Sequence, residues 1–157
     1  MKLVYKLRQF LEKKFKETGL TKKVFAKNIN IHYTTVLNIT KGVISNPDLY
    51  NIVKIADYFN CSVDEVLGRT KYVRNISDQV YNSVTTAVIK NNLLNFFQNQ
   101  NIDLYKLSSD LGFSHTTLPK FVQSSEEHRS LRISMIVLLA DHFNVSIDEM
   151  IGRYDKI

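Results

Sequence analysis

This chain is written twice, and that constrains its fold more than any other feature. The segment IADYFNCSVDEVLGR at 55–69 returns as LADHFNVSIDEMIGR at 139–153, identical at nine of fifteen positions. Unrelated segments of that length share about one. Five of the six differences stay within the apolar class, and the sixth sets His142 against Tyr58. Upstream, AKNINIHYTTVLN at 26–38 matches SSDLGFSHTTLPK at 108–120, in a register two residues shorter. The extra two residues fall where GVISNP becomes SSEEHRSL. A length of 157 residues ordinarily suggests one domain. The repeat instead requires two related units of roughly 65 residues, each with a core of its own.

Within each unit the punctuation is helical. Leu3, Leu7, Phe10, Leu11 and Phe15 share the spacing of one helix face over Lys2–Thr18, and Gly19 is placed to end that helix. Thr21 is an N-cap for a short helix over Lys22–Ile29. A turn leads to a third helix near Tyr33–Thr40, stopped by Gly42. Asn46-Pro47 reads as an N-cap followed by a first-turn proline, opening a helix to Tyr58. Ser62 with Glu65, and again Ser146 with Glu149, spell capping boxes for a last short helix. In the second unit the helices read as 77–98, 104–111, 115–122, 131–143 and 147–151. Five helices per unit make the chain all-α. The expected organisation is residues 1–70, a helical linker at 71–88 and a second unit at 89–157.

Composition narrows the function. The chain is 44% hydrophobic and 23% charged, enough apolar material for packed cores. Every apolar stretch is interrupted before membrane-spanning length, and the charged start MKLVYKLRQF is unlike a signal peptide, so a soluble, cytoplasmic protein is expected. One cysteine and four scattered histidines give no disulfide and no metal-ligand spacing, and no cofactor motif is present. Cys61 matches Val145 and His142 matches Tyr58, which makes both packing positions, while His128 reads as solvated loop. With no nucleophile, acid–base pair or phosphate loop in a recognisable context, an enzyme is not expected. Residues 1–75 hold 14 basic and 6 acidic side chains, whereas residues 76–157 hold 7 and 9. A polyanion-binding surface is therefore expected on the first unit.

The stretch TKKVFAKNINIHYTTVLNITKG at 21–42 carries the most specific pattern. Phe25, Ala26, Ile29, Ile31, Val36 and Ile39 are spaced to form a small core between two helices. Tyr33, Thr34, Leu37, Asn38 and Lys41 then share the outer face of the third helix. Phe25-Ala26, Asn30 in the turn, Gly42 after the third helix, and the later Ala56, Ser62, Asp64-Glu65 and Leu67-Gly68 together resemble the Cro and phage-repressor type of helix-turn-helix domain, the XRE family. The resemblance covers nearly all of both units and implies two tandem lambda-repressor-like domains. It implies double-stranded DNA as the partner, with the second helix of the motif in the major groove. On that resemblance Lys22 and Lys23 meet phosphate, His32 caps the recognition helix, and Tyr33, Thr34, Leu37 and Asn38 face the bases. Lys41 meets the backbone beyond. Asn38 suits adenine, through a paired donor and acceptor, and Leu37 suits a thymine methyl. Lys13, Lys14 and Lys16 read either as a solvated helix face or as a phosphate track.

The second copy departs from this pattern. Leu107, Leu111, Phe113, Leu118 and Phe121 keep the core, and Gly112 supplies the turn glycine. Lys22 and Lys23, however, become Leu104 and Tyr105, and Pro119 replaces Leu37. An interior proline costs about 3 kcal/mol against Ala, so the helix is expected to kink or to begin later. Glu126-Glu127 add negative charge to the following loop. Two readings stand: a second DNA head using His115, Thr116, Lys120 and Gln123, or a fold that turns Leu104 and Tyr105 to a partner chain. The lost charge favours the partner. In the connection, Val80, Val84, Ala87 and Val88 form a stripe at helical spacing, expected to pack between units or against a second chain. The function implied is a sequence-specific transcriptional regulator, acting as a homodimer and without an obvious small-molecule ligand. The alternative is a protein-interaction module of the same fold, such as an antitoxin or adaptor.

Overall fold

The computed structural model describes residues 2–73, 79–125 and 131–154. The described residues form ten α-helices and no named strand: α1 (Lys2–Thr18), α2 (Lys22–Asn28), α3 (Tyr33–Thr40), α4 (Leu49–Tyr58), α5 (Val63–Val66), α6 (Thr86–Asn99), α7 (Leu104–Asp110), α8 (Thr117–Gln123), α9 (Ile133–Phe143) and α10 (Ile147–Met150). None is long and apolar enough to cross a membrane. The chain divides into two compact units, Met1–Gln79 with Arg132–Ser134, and Val80–Leu131 with Met135–Ile157.

In the first unit, Leu7 and Leu11 of α1 lie fully inside with Phe25 and Ala26 of α2, Val36 and Ile39 of α3, and Ile52, Val53, Ile55 and Ala56 of α4. Phe25 is the aromatic hub. It stacks on Phe59 at 5.6 Å and meets Phe15 and Tyr58 edge to face at 5.2 and 5.5 Å. Thr21 caps α2, its hydroxyl accepting from Val24 N. The turn after α2 needs a left-handed residue, and Asn30 supplies it at φ 55°. Gly112 does so at φ 84° in the second unit, at no steric cost. α4 starts at Leu49, later than Asn46-Pro47 suggested, because Asp48 in the cap position is still extended.

The last short helices are built alike. Ser62 Oγ accepts from Glu65 N at 2.9 Å and Ser146 Oγ from Glu149 N at 3.1 Å, as the capping boxes predict. Between the cap and the glutamate sits a buried carboxylate whose role the sequence reading missed. Asp64 pairs with Arg69, and Asp148 with Arg153 at 2.7 Å. Each arginine also stacks on a tyrosine, Arg69 on Tyr72 at 4.2 Å and Arg153 on Tyr81 at 4.1 Å.

The linker expectation needs correction. Thr70–Tyr72 is a single 3-10 turn, Gln79–Thr85 is not helical, and α6 starts only at Thr86. Hydrogen bonding explains this. Asn82 N donates to Arg153 O at 2.8 Å and Asn82 Nδ2 to Gly152 O at 3.2 Å, which ties the segment to the last turn of its own unit instead of into a helix. Thr85 then caps α6 by accepting from Val88 N. The apolar stripe consequently does not exist as a surface: Val84 is 4% exposed and Val80 81%. Residues 74–78 of the expected linker, together with Glu126, Glu127 and His128, lie outside the described residues.

Candidate nucleic-acid interface

The face of α3 is the surface to judge. Val36, Ile39 and Thr40 are buried and hold the helix in the core. Tyr33 (43% exposed), Thr34 and Lys41 stand outside, and Leu37 and Asn38 are half-buried between them. Among the described residues, no side chain engages the Asn38 carboxamide, the Thr34 hydroxyl or the Lys41 ammonium. The Asn38 carbonyl is used, accepting from Val43 N (2.8 Å) and Ile44 N (3.1 Å) as the chain wraps past the helix end. His32 takes the cap position and its carbonyl accepts from Thr35 and Val36, but its side chain makes no capping bond. Its exposed imidazole therefore joins the outer face.

Lys22 and Lys23 open α2, a helix with no acidic residue in its first turn. Anions are favoured at such a helix start, and the two ammonium groups reinforce that preference. The α1 lysines are more committed. Lys13 and Lys14 both pair with Glu17, at 3.8 and 3.4 Å, and Lys14 also lies over the Phe10 and Phe59 rings. That arrangement fits a solvated helix face.

Sequence reasoning missed Arg8. Its Nε donates to Thr40 O at 2.8 Å, satisfying a carbonyl at the end of α3 and setting a cation against the negative end of that helix. The guanidinium also lies against Gly42, where an added Cβ would meet Nη1 at 3.2 Å. The second unit repeats the device: Lys90 Nζ donates to Ser124 O just past α8. Arg8 and Lys90 are in register, since the same shift that aligns Ala26 with Ser108 aligns them. That register was the available signal.

The corresponding surface of the second unit differs. α8 begins at Thr117, two residues later than its counterpart, and the proline is the reason. Placed deeper in the helix, Pro119 would press on the His115 carbonyl. As the third helical residue it occupies the first turn, where an N–H has no intrahelical partner anyway. His115 and Thr116 are thereby moved out of the helix, Thr116 into the cap position, and Pro119 is buried, not on the outer face. Leu118 N, orphaned and buried, donates instead to Ser108 Oγ at 3.0 Å, and the Ser108 hydroxyl donates in turn to Leu104 O at 2.8 Å. Ser108 stands where the first unit has Ala26, so the serine and the proline change together. Lys120 and Gln123 remain exposed. Tyr105, 51% exposed, lies tilted over the His115 ring at 6.1 Å. Leu104 lines an open cleft of about 340 Å³ with Leu94, Phe97, Ile102 and Val122.

Two comparisons with known proteins bear on this geometry. The helix-turn-helix family profile matches residues 11–66, from the second half of α1 to the end of α5. A protein of Rickettsia prowazekii (strain Madrid E), named an uncharacterised HTH-type transcriptional regulator, is 43% identical over 72 residues, taking in 44% of this chain and 78% of that protein. The chain belongs to the Cro and phage-repressor type of helix-turn-helix family. A second protein of the same description, from Rickettsia conorii (strain ATCC VR-613 / Malish 7), is also 43% identical over 72 residues and is covered over 66% of its length. No solved structure gives a significant match. Within the matched residues, α2 and α3 are the consecutive helices joined by the turn that holds Asn30.

Proposed function

We propose that this helix-turn-helix protein is a sequence-specific double-stranded DNA-binding transcriptional regulator, a binding protein and not an enzyme, whose first unit reads the major groove through α3. One observation carries the reading: a recognition face of Tyr33, Thr34, Leu37 and Asn38 whose polar groups are uncommitted among the described residues, flanked by Lys22, Lys23 and Lys41. Asn38 reads adenine, Leu37 meets a thymine methyl, and the lysines hold phosphates. The charge excess of residues 1–75 supplies the non-specific attraction that precedes reading. Such a regulator works where the DNA is, and a cytoplasmic location follows from this reading.

The second unit, in this reading, assembles a homodimer or tunes the first. The apolar substitution at Leu104 and Tyr105 and the shortened outer face of α8 favour that role over a second head using His115, Thr116, Lys120 and Gln123. Two heads about one helical turn apart multiply a modest single-head affinity.

Selection from random duplexes with the full chain at moderate salt, followed by sequencing of the bound pool, tests this. Two like half-sites support a dimer reading with the first unit, and two unlike half-sites restore the second head. A folded protein that enriches no motif overturns DNA reading and leaves the antitoxin or adaptor alternative.

A further inference from the structure

We infer that Arg8 is a DNA-contacting residue that extends the phosphate line of the first unit beyond Lys41, an inference that rests on the reading of α3 as the recognition helix. The observations are three. The Nε of Arg8 is spent on Thr40 O at the end of α3, which fixes where the guanidinium lies. Its Nη1 side is turned to Gly42, the residue that follows the recognition helix. No carboxylate among the described residues pairs with Arg8.

The carbonyl bond uses one of five guanidinium donors, so an edge of the fork stays available beside the exposed Lys41. Arginine suits this double duty because its donors are held in a rigid plane. One edge clamps the protein while another donates to a phosphate oxygen. Gly42 keeps that approach open, since any side chain there would crowd Nη1. Lys90 marks the contrast. It makes the same carbonyl bond with a single ammonium and leans over the Phe121 ring at 5.8 Å. It serves as a clamp in the unit where Leu104 and Tyr105 stand in place of Lys22 and Lys23.

Affinity of the full chain for its selected duplex is measured against salt for wild type, Arg8→Gln, Arg8→Lys and Lys6→Gln. Lys6 lies on the same helix and packs against Gly68, so it controls for loss of one general charge. Each phosphate contact contributes about 0.9 to the slope of log affinity against log salt. Arg8→Gln is expected to lower the slope by about that amount, so that wild type loses about threefold more affinity than the variant between 50 and 200 mM salt. Lys6→Gln is expected to keep the wild-type slope. Arg8→Lys is expected to keep the melting temperature, as Lys90 shows that an ammonium reaches the clamped carbonyl, but to lower the slope as Arg8→Gln does, because an ammonium held on that carbonyl has no second fork edge to turn to phosphate.

An unchanged slope in Arg8→Gln, or an equal fall in Lys6→Gln, overturns the inference and leaves α3 reading intact. If wild type binds no duplex, the reading and the inference fall together. Where Arg8→Gln unfolds at the assay temperature, wild type is instead run on duplexes with one neutral methylphosphonate linkage at a time. One sensitive linkage beyond those accounted for by Lys22→Ala, Lys23→Ala and Lys41→Ala supports the contact, and none beyond them refutes it.

Discussion

Replacing Ser108 by the alanine found at the matching position of the first unit isolates the compensation for Pro119. Ser108 is fully buried, and its hydroxyl accepts from Leu118 N and donates to Leu104 O. Leu118 is itself fully buried, so water has no route to the orphaned N–H after the substitution. The nearest backbone alternative, Ser114 O, already accepts from Thr117 N at 2.9 Å. A buried donor left unmet costs about 1–3 kcal/mol, and Leu104 O loses only a second partner, so Ser108→Ala should destabilise the second unit by about 2 kcal/mol. For a unit of this size each kcal/mol moves the melting temperature by about 4–8 °C, so a fall of about 8–16 °C is expected. Native-state hydrogen exchange read at the Leu118 amide locates the effect. Its protection should drop more than that of its neighbours in α8.

Pro119→Leu provides the second arm. With the ring gone, the helix can start two residues earlier and Leu118 N can find a carbonyl, as Val36 N finds His32 O at 3.2 Å. Ser108→Ala should then cost less than half as much in the Pro119→Leu background, a coupling above about 1 kcal/mol. A cost under about 0.5 kcal/mol in the proline background, with Leu118 protection unchanged, refutes the account of the shifted helix.

Three further outcomes are expected. Asn38→Ala should relax preference at one base position by about 1–3 kcal/mol, whereas Lys22→Ala should weaken all sequences alike; competition binding on single-base variants of the selected site separates them. Equal loss on every sequence for Asn38→Ala removes it from base reading. Asp148→Ala should destabilise by about 3–5 kcal/mol in urea unfolding, because Arg153 is left charged in the interior. Val84→Glu should lower the melting temperature of the second unit without changing oligomeric state in sedimentation, since Val84 is a core residue; a dimer that dissociates with unaltered stability returns it to an interface.

Most of the helices were legible in the sequence because their signals are local. Thr21, Ser62 and Ser146 accept from N–H groups three residues on, and Gly19, Asn30 and Gly112 turn the chain left-handed where the periodic pattern stops. The candidate face of α3 was legible for the same reason: a helix with Val36 and Ile39 inside has Tyr33, Thr34, Leu37 and Asn38 on the other side. The proline announced that α8 would kink or start late, because its steric rule reaches only four residues back, and the fold took the later start.

Tertiary structure decided the rest. Val84 and its neighbours have helical spacing, yet bonds from Asn82 to the far end of the unit keep the segment out of a helix, and periodicity carries no record of a partner 70 residues away. Asp64 and Asp148 look like ordinary first-turn acids until folding buries each beside an arginine. Arg8 looks like one charge among many on α1, and only the approach of α3 gives it a carbonyl to hold. The chain states which groups each helix carries, while desolvation and long-range hydrogen bonding determine which of those groups are spent inside the fold and which are left to meet a ligand.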